Sequence, residues 1–189
     1  GDEAYVKAAE RNLAFLQSKL WDAKTKTLYH RWRDGERVAA QLQDTYAFLL
    51  GGVLELYQAT LDAKHLEFAI AVAESMLAKF YDKKDGGFWQ SAEGATDLIL
   101  RVKEDYDGAE PSGNSVAILA LLKLAALTDR KDFRDAAEKS LGLFADRLQK
   151  MPQAVAYMLL GLDFLLDEPK RVVIAGDVKS AEGRALLRA

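Results

Sequence analysis

The chain has 189 residues, of which 50% are hydrophobic, so it can bury a sizeable core without help from disulfides or metals. Lysine and arginine total 26 against 29 aspartate and glutamate, a formal charge of −3, which gives no electrostatic attraction for nucleic acid or an anionic membrane. Cysteine is absent and histidine occurs twice, so neither a disulfide framework nor a zinc centre is expected, and no cofactor is predicted.

The chain shows no sign of a membrane segment or a secretory signal. The longest stretch without a charged residue is twelve residues, and a membrane-spanning helix needs about 20. We therefore expect a cytoplasmic protein. The sequence begins with Gly1 instead of methionine and ends where a new helical pattern starts, so we expect it to be a piece of a longer protein.

Six helices are predicted from apolar residues that recur every three or four positions. Helix 1, for example, carries Val6, Leu13, Leu16 and Leu20 on one stripe. The predicted ranges are 3–20, 42–61, 64–81, 114–128, 131–148 and 152–167. The sequence therefore predicts a mainly α protein.

The connections between these helices alternate between short and long. Residues 62–63 and 129–130 form links short enough to make the flanking helices antiparallel. The long connections contain two candidate β-hairpins: residues 27–32 followed by Asp34-Gly35, and residues 87–90 with 98–100. Long loops in a compact helical domain usually carry function.

The chain compared with itself shows an internal repeat of helix, hairpin and helix. Leu20-Trp21-Asp22 and Leu28-Tyr29 align, at one common offset, with Phe80-Tyr81-Asp82 and Phe88-Trp89. The short turns also align, residues 60–62 with residues 127–129. This period suits the two-helix units of an α/α toroid, in which inner and outer helices alternate, and six helices would form half of a twelve-helix toroid.

The end of the chain is predicted to be a separate small element. Residues 171–177 read as a buried strand and residues 181–188 as the beginning of a helix. One strand cannot satisfy its own backbone, so it must pair with chain outside this sequence, lie against a partner or complete a small βα element. We assign residues 1–168 to the half toroid and 169–189 to this C-terminal element.

The predicted topology brings the long loops to one face. If inner and outer helices alternate, the N-termini of helices 2 and 4 lie on that face with the loop aromatics. Rings beside carboxylates suit a sugar, because C–H faces stack on rings while hydroxyls bond to polar groups. The candidate ligand-binding side chains among these are Trp32, Trp89, Tyr46, Tyr106 and His30. Packing roles remain open for Trp32, Trp89 and His30, since aromatic residues of a hairpin often cover the edge of a core.

Two polar segments supply candidate catalytic groups. Asp44 either caps helix 2 or points into the cleft. Residues 103–115 hold four carboxylates and then a helix start, at which Ser112 is a suitable N-cap. Capping does not explain Asp107, Glu110 and Asn114 together, so we predict that this stretch lines a ligand site. Its carboxylates could act as acid or base on a glycosidic bond or a sugar carbon.

The same stretch resembles a known family. Residues 106–117 read Tyr-Asp-Gly-Ala-Glu-Pro-Ser-Gly-Asn-Ser-Val-Ala, which looks like the spermatogenesis-associated, thioredoxin-like protein family. Residues 28–35, 44–49, 54–60 and 172–177 support the resemblance, which spans nearly the whole chain. The family pattern has an unbroken Asp-Tyr-Ala, whereas here Thr45 stands between Asp44 and Tyr46.

The resemblance implies a thioredoxin-like domain followed by an α/α six-hairpin toroid, of which this chain would be the C-terminal half. More distantly, the toroid is similar to N-acylglucosamine and cellobiose 2-epimerases and to six-hairpin glycosidases. That similarity suggests carbohydrate chemistry by analogy of fold. If the protein is an enzyme, we expect a sugar epimerase, an isomerase or a glycoside hydrolase.

Two functions therefore stay open. In the first, this chain is part of a carbohydrate-active or carbohydrate-binding toroid, with a small saccharide as ligand. In the second, it is a helical scaffold without enzymatic activity that docks a partner protein or its own thioredoxin-like domain. A half toroid also leaves the flank of an inner helix uncovered, so we expect a homodimer or marginal stability.

Overall fold

A computed structural model describes residues 2–38, 40–92, 100–167, 169–170, 173, 175–177 and 180–186. The first repeat contains α1 (Glu3–Lys19), β1 (Trp21–Asp22), β2 (Thr27–Leu28), β3 (Arg31–Arg33), β4 (Glu36–Val38) and α2 (Gln43–Thr60). The second begins with α3 (Ala63–Phe80) and continues to α4 (Gly113–Thr128), after which come α5 (Lys131–Leu143) and α6 (Ala145–Lys150). A 3₁₀ turn (Pro152–Ala154), α7 (Ala156–Leu166) and α8 (Ala181–Leu186) follow.

Helix α4 forms the centre of the core, because it packs against α2, α5 and α7. Nearly every residue from Asn114 to Ala125 is buried, in agreement with the apolar composition of this helix. Ser112 caps its N-terminus, where Oγ accepts a hydrogen bond of 3.2 Å from the N–H of Ser115. The predicted N-cap is therefore confirmed.

The two short links end their helices in the same way. Leu61 after α2 and Asp129 after α4 adopt left-handed backbone conformations, with φ of 53° and 56°. The hydroxyls of Thr60 and Thr128 both donate to a carbonyl one turn earlier. By its backbone conformation Asp129 corresponds to Leu61. The sequence alignment pairs Asp129 with Asp62 instead, because it matches the two aspartates and not the two left-handed caps.

The first predicted hairpin is present, but its first strand begins at Arg31, because Thr27–Leu28 form β2 and pair with β1 in a separate hairpin. Strands β3 and β4 pair antiparallel, and Asp34 and Gly35 both have positive φ, 51° and 87°, as a type I′ turn requires. In the second candidate hairpin, residues 98–99 lie outside the described part of the chain. There Phe88 bridges to Tyr81, and the N–H of Gln90 donates to the carbonyl of Val102 at 2.8 Å.

The alignment of residues 20–29 with residues 80–89 is confirmed by matching hydrogen bonds in two hairpins, the one formed by β1 and β2 and the one in which Tyr81 pairs with Phe88. The carboxylates of Asp22 and Asp82 each accept two N–H groups from the turn that follows. Tyr29 donates its N–H to the carbonyl of Leu20 at 2.9 Å, and Trp89 donates to Phe80 at the same distance. The two hairpins are thus anchored to their outer helices by the same geometry.

Two predicted helices differ from the structure. The helix predicted over 131–148 breaks at Phe144, whose side chain turns into the core, so that α5 and α6 are separate. The helix over 152–167 begins as a 3₁₀ turn before α7. The predicted strand over 171–177 falls largely outside the described residues, while the helix expected from residue 181 is present as α8. Among the helices described, none is both long and apolar enough to cross a bilayer.

Candidate functional site

A polar pocket lies where α2 and α4 begin, and its volume is about 90 Å³. Its walls come from the first turns of both helices and from two stretches of the long connection between α3 and α4. The lining residues are Gln43, Asp44, Phe48, Gln90, Glu104, Tyr106, Glu110, Pro111, Ser112, Gly113 and Asn114. Five of the sequence-predicted site residues are therefore brought together: Asp44, Tyr106, Glu110, Ser112 and Asn114.

Gly113 allows the two helix starts to approach each other. The buried side chain of Gln43 donates from Nε2 to the carbonyl of Gly113 at 3.0 Å. A Cβ at Gly113 would clash with Oε1 of Gln43 and would lie 3.0 Å from Cα of Asp44. The absence of a side chain at this position is thus what joins the two walls of the pocket.

The pocket combines three carboxylates with two exposed rings. The carboxylates belong to Asp44, Glu104 and Glu110, and no lysine or arginine is among the lining residues. Glu104 accepts a hydrogen bond of 3.3 Å from Nε2 of Gln90. The rings of Phe48 and Tyr106 are 41% and 61% exposed. The site is therefore acidic, with apolar faces open to a ligand.

The segment 101–107 alternates between anchoring and exposed side chains, as an extended chain does. Arg101 donates to the carbonyl of Ser91, and Lys103 pairs with Asp82 at 2.7 Å. The Arg147 guanidinium donates two hydrogen bonds to the Asp105 carboxylate, from Nε at 2.9 Å and from Nη2 at 3.1 Å. The intervening residues Glu104 and Tyr106 point into the pocket instead. The odd-numbered side chains thus hold the segment, while Glu104 and Tyr106 face a ligand in the pocket.

Asp107 lies outside the pocket lining and anchors α7. Its Oδ1 accepts from the N–H of Ser112 at 2.8 Å. Its Oδ2 accepts from the N–H groups of Tyr157 and Met158, at 2.8 and 3.3 Å. These are the second and third residues of α7, whose N–H groups have no partner within the helix. Asp107 thus caps α7 from a distant part of the sequence.

The other polar side chains near the helix starts are engaged by the protein. Asn114 is buried, accepts from the N–H of Phe88 at 2.7 Å, and donates to the carbonyls of Phe88 and Glu104. The ring of Tyr46 lies in the core, where burial raises the pKa of its phenol. Its hydroxyl accepts from the N–H of Leu28 at 2.7 Å. Asn114 borders the pocket, whereas Tyr46 does not.

The tryptophans and His30 also lie away from the pocket lining. Trp32 packs edge-on against Phe15 at 5.9 Å between ring centroids. Trp89 lies beneath the cations of Arg101 and Lys103, 5.1 and 4.5 Å from its ring centroid. His30 is exposed, with Nδ1 3.0 Å from Oγ1 of Thr45. The structure therefore gives the three side chains separate local partners.

Six lining residues are not among the individually predicted candidates: Gln43, Phe48, Gln90, Glu104, Pro111 and Gly113. Two signals could have found some of them. Phe48 follows Asp44 by four residues and so shares its helix face. Glu104 belongs to the acidic stretch that also contains Glu110. The described residues contain no group of three or more His, Asp or Glu side chains that could hold a metal ion.

The sequence is similar to the spermatogenesis-associated protein 20 of several mammals. Spermatogenesis-associated protein 20 of Rattus norvegicus is 34% identical over 198 aligned residues, which cover all of this chain and 25% of the relative. The Homo sapiens protein of that name is 31% identical with the same coverage. The chain thus spans a quarter of the length of the curated relatives it matches. No family model matches it.

The fold is similar to that of two carbohydrate-active enzymes. A cellobiose 2-epimerase from Spirochaeta thermophila aligns with a TM-score of 0.60 and 22% identity, over 80% of this chain and 39% of the enzyme. A glycoside hydrolase family 76 mannosidase from Bacteroides thetaiotaomicron aligns with a TM-score of 0.50 and 15% identity, over 70% and 40%. These matches confirm the resemblance seen in the sequence: the chain is a relative of spermatogenesis-associated protein 20 and folds as part of an α/α toroid.

Proposed function

We propose that the pocket where α2 and α4 begin is part of the saccharide-binding cleft of a carbohydrate-active protein. The observation that carries this proposal is the meeting of Asp44, Glu104 and Glu110 with the exposed rings of Phe48 and Tyr106. Carboxylates accept hydrogen bonds from sugar hydroxyls, and rings cover the C–H faces of a pyranose. The similar folds of an epimerase and a mannosidase support the same class of ligand.

The charge of the lining favours an uncharged sugar. Three carboxylates and no lining cation would repel the phosphate of a sugar phosphate at close range. The positive ends of α2 and α4 offset part of this negative charge. We therefore assign neutral mono- or disaccharides as ligands, with sugar phosphates disfavoured.

The acid and base of a reaction would be chosen from Asp44, Glu104 and Glu110. Asp107 is reassigned from catalysis to structure, because three main-chain N–H groups occupy its carboxylate. The reaction classes are epimerisation, isomerisation or hydrolysis of a glycosidic bond. Typical ligand pockets measure about 300–1,000 Å³, so we propose that the rest of the toroid in the longer relatives supplies the remaining wall.

A thermal-shift panel tests this proposal on this chain and on the full-length protein. The panel contains neutral, N-acetylated and phosphorylated mono- and disaccharides. Stabilisation by a neutral sugar should be lost in Glu104→Gln and Glu110→Gln. It should persist in Glu138→Gln, which changes an exposed glutamate paired with Arg134 on α5. A response that is equal in all variants, or limited to sugar phosphates, contradicts the proposal.

A helical scaffold is the second candidate function. The observation that favours it is the exposure of two leucines on α7, Leu160 at 50% and Leu166 at 75%. Exposed leucines suit contact with another helix or a partner protein, such as a thioredoxin-like domain of the same longer chain. If full-length protein binds no sugar, and Leu160→Glu releases that domain in limited proteolysis, the scaffold is the better description.

A further inference from the structure

A chain of hydrogen bonds connects His30 to the pocket through Thr45. Nδ1 of His30 lies 3.0 Å from Oγ1 of Thr45. Oγ1 of Thr45 donates to Oδ1 of Asp44 at 3.3 Å, and the N–H of Thr45 donates to the same oxygen at 2.6 Å. Asp44 lines the pocket, whereas His30 and Thr45 do not. An exposed imidazole is thereby linked to a pocket carboxylate by one hydroxyl.

The donor and the acceptor in each of these hydrogen bonds follow from the number of protons available. A threonine hydroxyl has one hydrogen to donate, and an ionised carboxylate can only accept. Since Thr45 donates to Asp44, it has none left for the imidazole, and His30 must donate from Nδ1–H. A neutral His30 is therefore held in the tautomer that carries its proton on Nδ1.

We propose that His30 is a positioning residue for the pocket: through the Thr45 hydroxyl it holds Oδ1 of Asp44 and leaves Oδ2 to accept a hydrogen bond from the ligand. Within the part of the chain that the structure describes, no hydrogen bond engages Oδ2 of Asp44. This inference rests on the proposed function only for the nature of the ligand. The orientation of the carboxylate does not depend on it.

The tautomer of His30 can be observed directly, because the chain contains only two histidines. His65 is the internal control: its Nδ1 lies 2.9 Å from Oγ1 of Thr60, whose hydroxyl donates to the carbonyl of Leu56. The same proton count places the Nδ1–H tautomer there. Long-range ¹H–¹⁵N correlation spectra at a pH of about 8.5, where free histidine is neutral, assign both rings.

Two variants test the coupling, and two more serve as conservative controls. Thr45→Val removes the acceptor for Nδ1–H, and Asp44→Ala frees the hydroxyl to donate to Nδ1, so His30 should lose its Nδ1–H form in both. Thr45→Ser and Asp44→Asn keep the hydroxyl and an acceptor, so they should retain it. His65 should stay unchanged in all four variants. A His30 tautomer that is the same in wild type, Thr45→Val and Asp44→Ala overturns the inference.

Saccharide affinity separates this inference from the proposed function. For a neutral sugar that binds the wild type, Thr45→Val should weaken binding about fivefold to tenfold, the effect of one hydrogen bond, while Thr45→Ser restores it. Equal affinity in Thr45→Val and wild type overturns the positioning role. If no sugar binds but the tautomers follow the pattern above, the proposed function fails and the control of Asp44 by His30 stands.

Discussion

Tyr46 and Asn114 perform the same task one repeat apart. Each lies in the first turn of an inner helix and accepts a hydrogen bond of 2.7 Å from a main-chain N–H of the hairpin, Leu28 for Tyr46 and Phe88 for Asn114. Leu28 and Phe88 are equivalent positions in the aligned hairpins. The repeat has thus kept the contact and changed the residue that makes it.

Removing either contact should destabilise the fold. Tyr46→Phe leaves a buried N–H unpaired and should cost about 1–3 kcal/mol in the free energy of unfolding. Asn114→Ala removes three hydrogen bonds and should cost about 3 kcal/mol or more. Urea denaturation measures both, with Tyr106→Phe at the exposed ring as the matched control. A Tyr46→Phe variant as stable as Tyr106→Phe would show that the contact contributes nothing.

Asp107→Asn should destabilise α7 without acting on the ligand. The asparagine side chain has one acceptor oxygen where aspartate has two, so it cannot accept the hydrogen bonds made by both Oδ1 and Oδ2. The cap on Tyr157 and Met158 weakens, at a cost of about 1–2 kcal/mol in the free energy of unfolding. Hydrogen exchange at those two amides should accelerate. Asp146→Asn, at an exposed i, i+4 pair with Lys150, serves as control. Loss of sugar binding with unchanged exchange would instead return Asp107 to the binding site.

The ion pair between Asp82 and Lys103 should make the stability of the fold depend on pH in the acid range. The two side chains are 13% and 12% exposed. The Lys103 ammonium, with two turn N–H groups, lowers the pKa of Asp82 from 3.8 to about 2. Because the folded-state pKa lies below the unfolded value, this stabilisation is complete above about pH 4 and is lost as the pH falls toward 2.

Lys103→Met tests this dependence. The difference in unfolding free energy between wild type and variant should shrink by about 1–2 kcal/mol as the pH falls from about 5 to about 2.5. Lys123→Met, which breaks a pair with the exposed Glu55, should show little change over that range. A wild-type advantage that stays constant with pH would contradict the assignment.

The exposed leucines of α7 should make this chain self-associate. Leu160 and Leu166 are exposed on a helix that packs against α4 and the 3₁₀ turn. Light scattering should show a concentration-dependent dimer, which Leu160→Glu disrupts. Leu127→Glu, at an exposed leucine near the end of α4, should leave it intact. A wild type that stays monomeric at high concentration would refute this expectation.

Local sequence patterns account well for the helices and the first hairpin. The apolar stripe predicts α2 and α3 to within a residue or two of their observed ends, and Asp34-Gly35 has the chemistry that a type I′ turn demands. The same pattern does not predict the break at Phe144, because both sides of it continue the helical periodicity. What ends α5 is the burial of that ring, which depends on the tertiary structure.

The candidate site could be predicted in part. Asp44 and Glu110 do line a common pocket. The sequence context of Asp107 does not distinguish it from them, because an aspartate near glycine and proline can either bind a ligand or cap a helix. Its partners Tyr157 and Met158 are far from it along the chain and lie on another helix. Only the folded chain reveals such a cap, and the same holds for Tyr46, whose partner lies on the hairpin.

Along residues 101–107, side chains that face the pocket alternate with side chains that hold the segment in place. Binding and stability therefore depend on different residues. Substitution of Glu104 or Tyr106 changes the groups that a ligand contacts in the pocket and leaves the ion pairs of Lys103 and Asp105 in place. An insertion or deletion of one residue would instead exchange the two sets, turning charged anchors toward the ligand. This wall can therefore diversify in specificity by substitution, while its length has to stay constant.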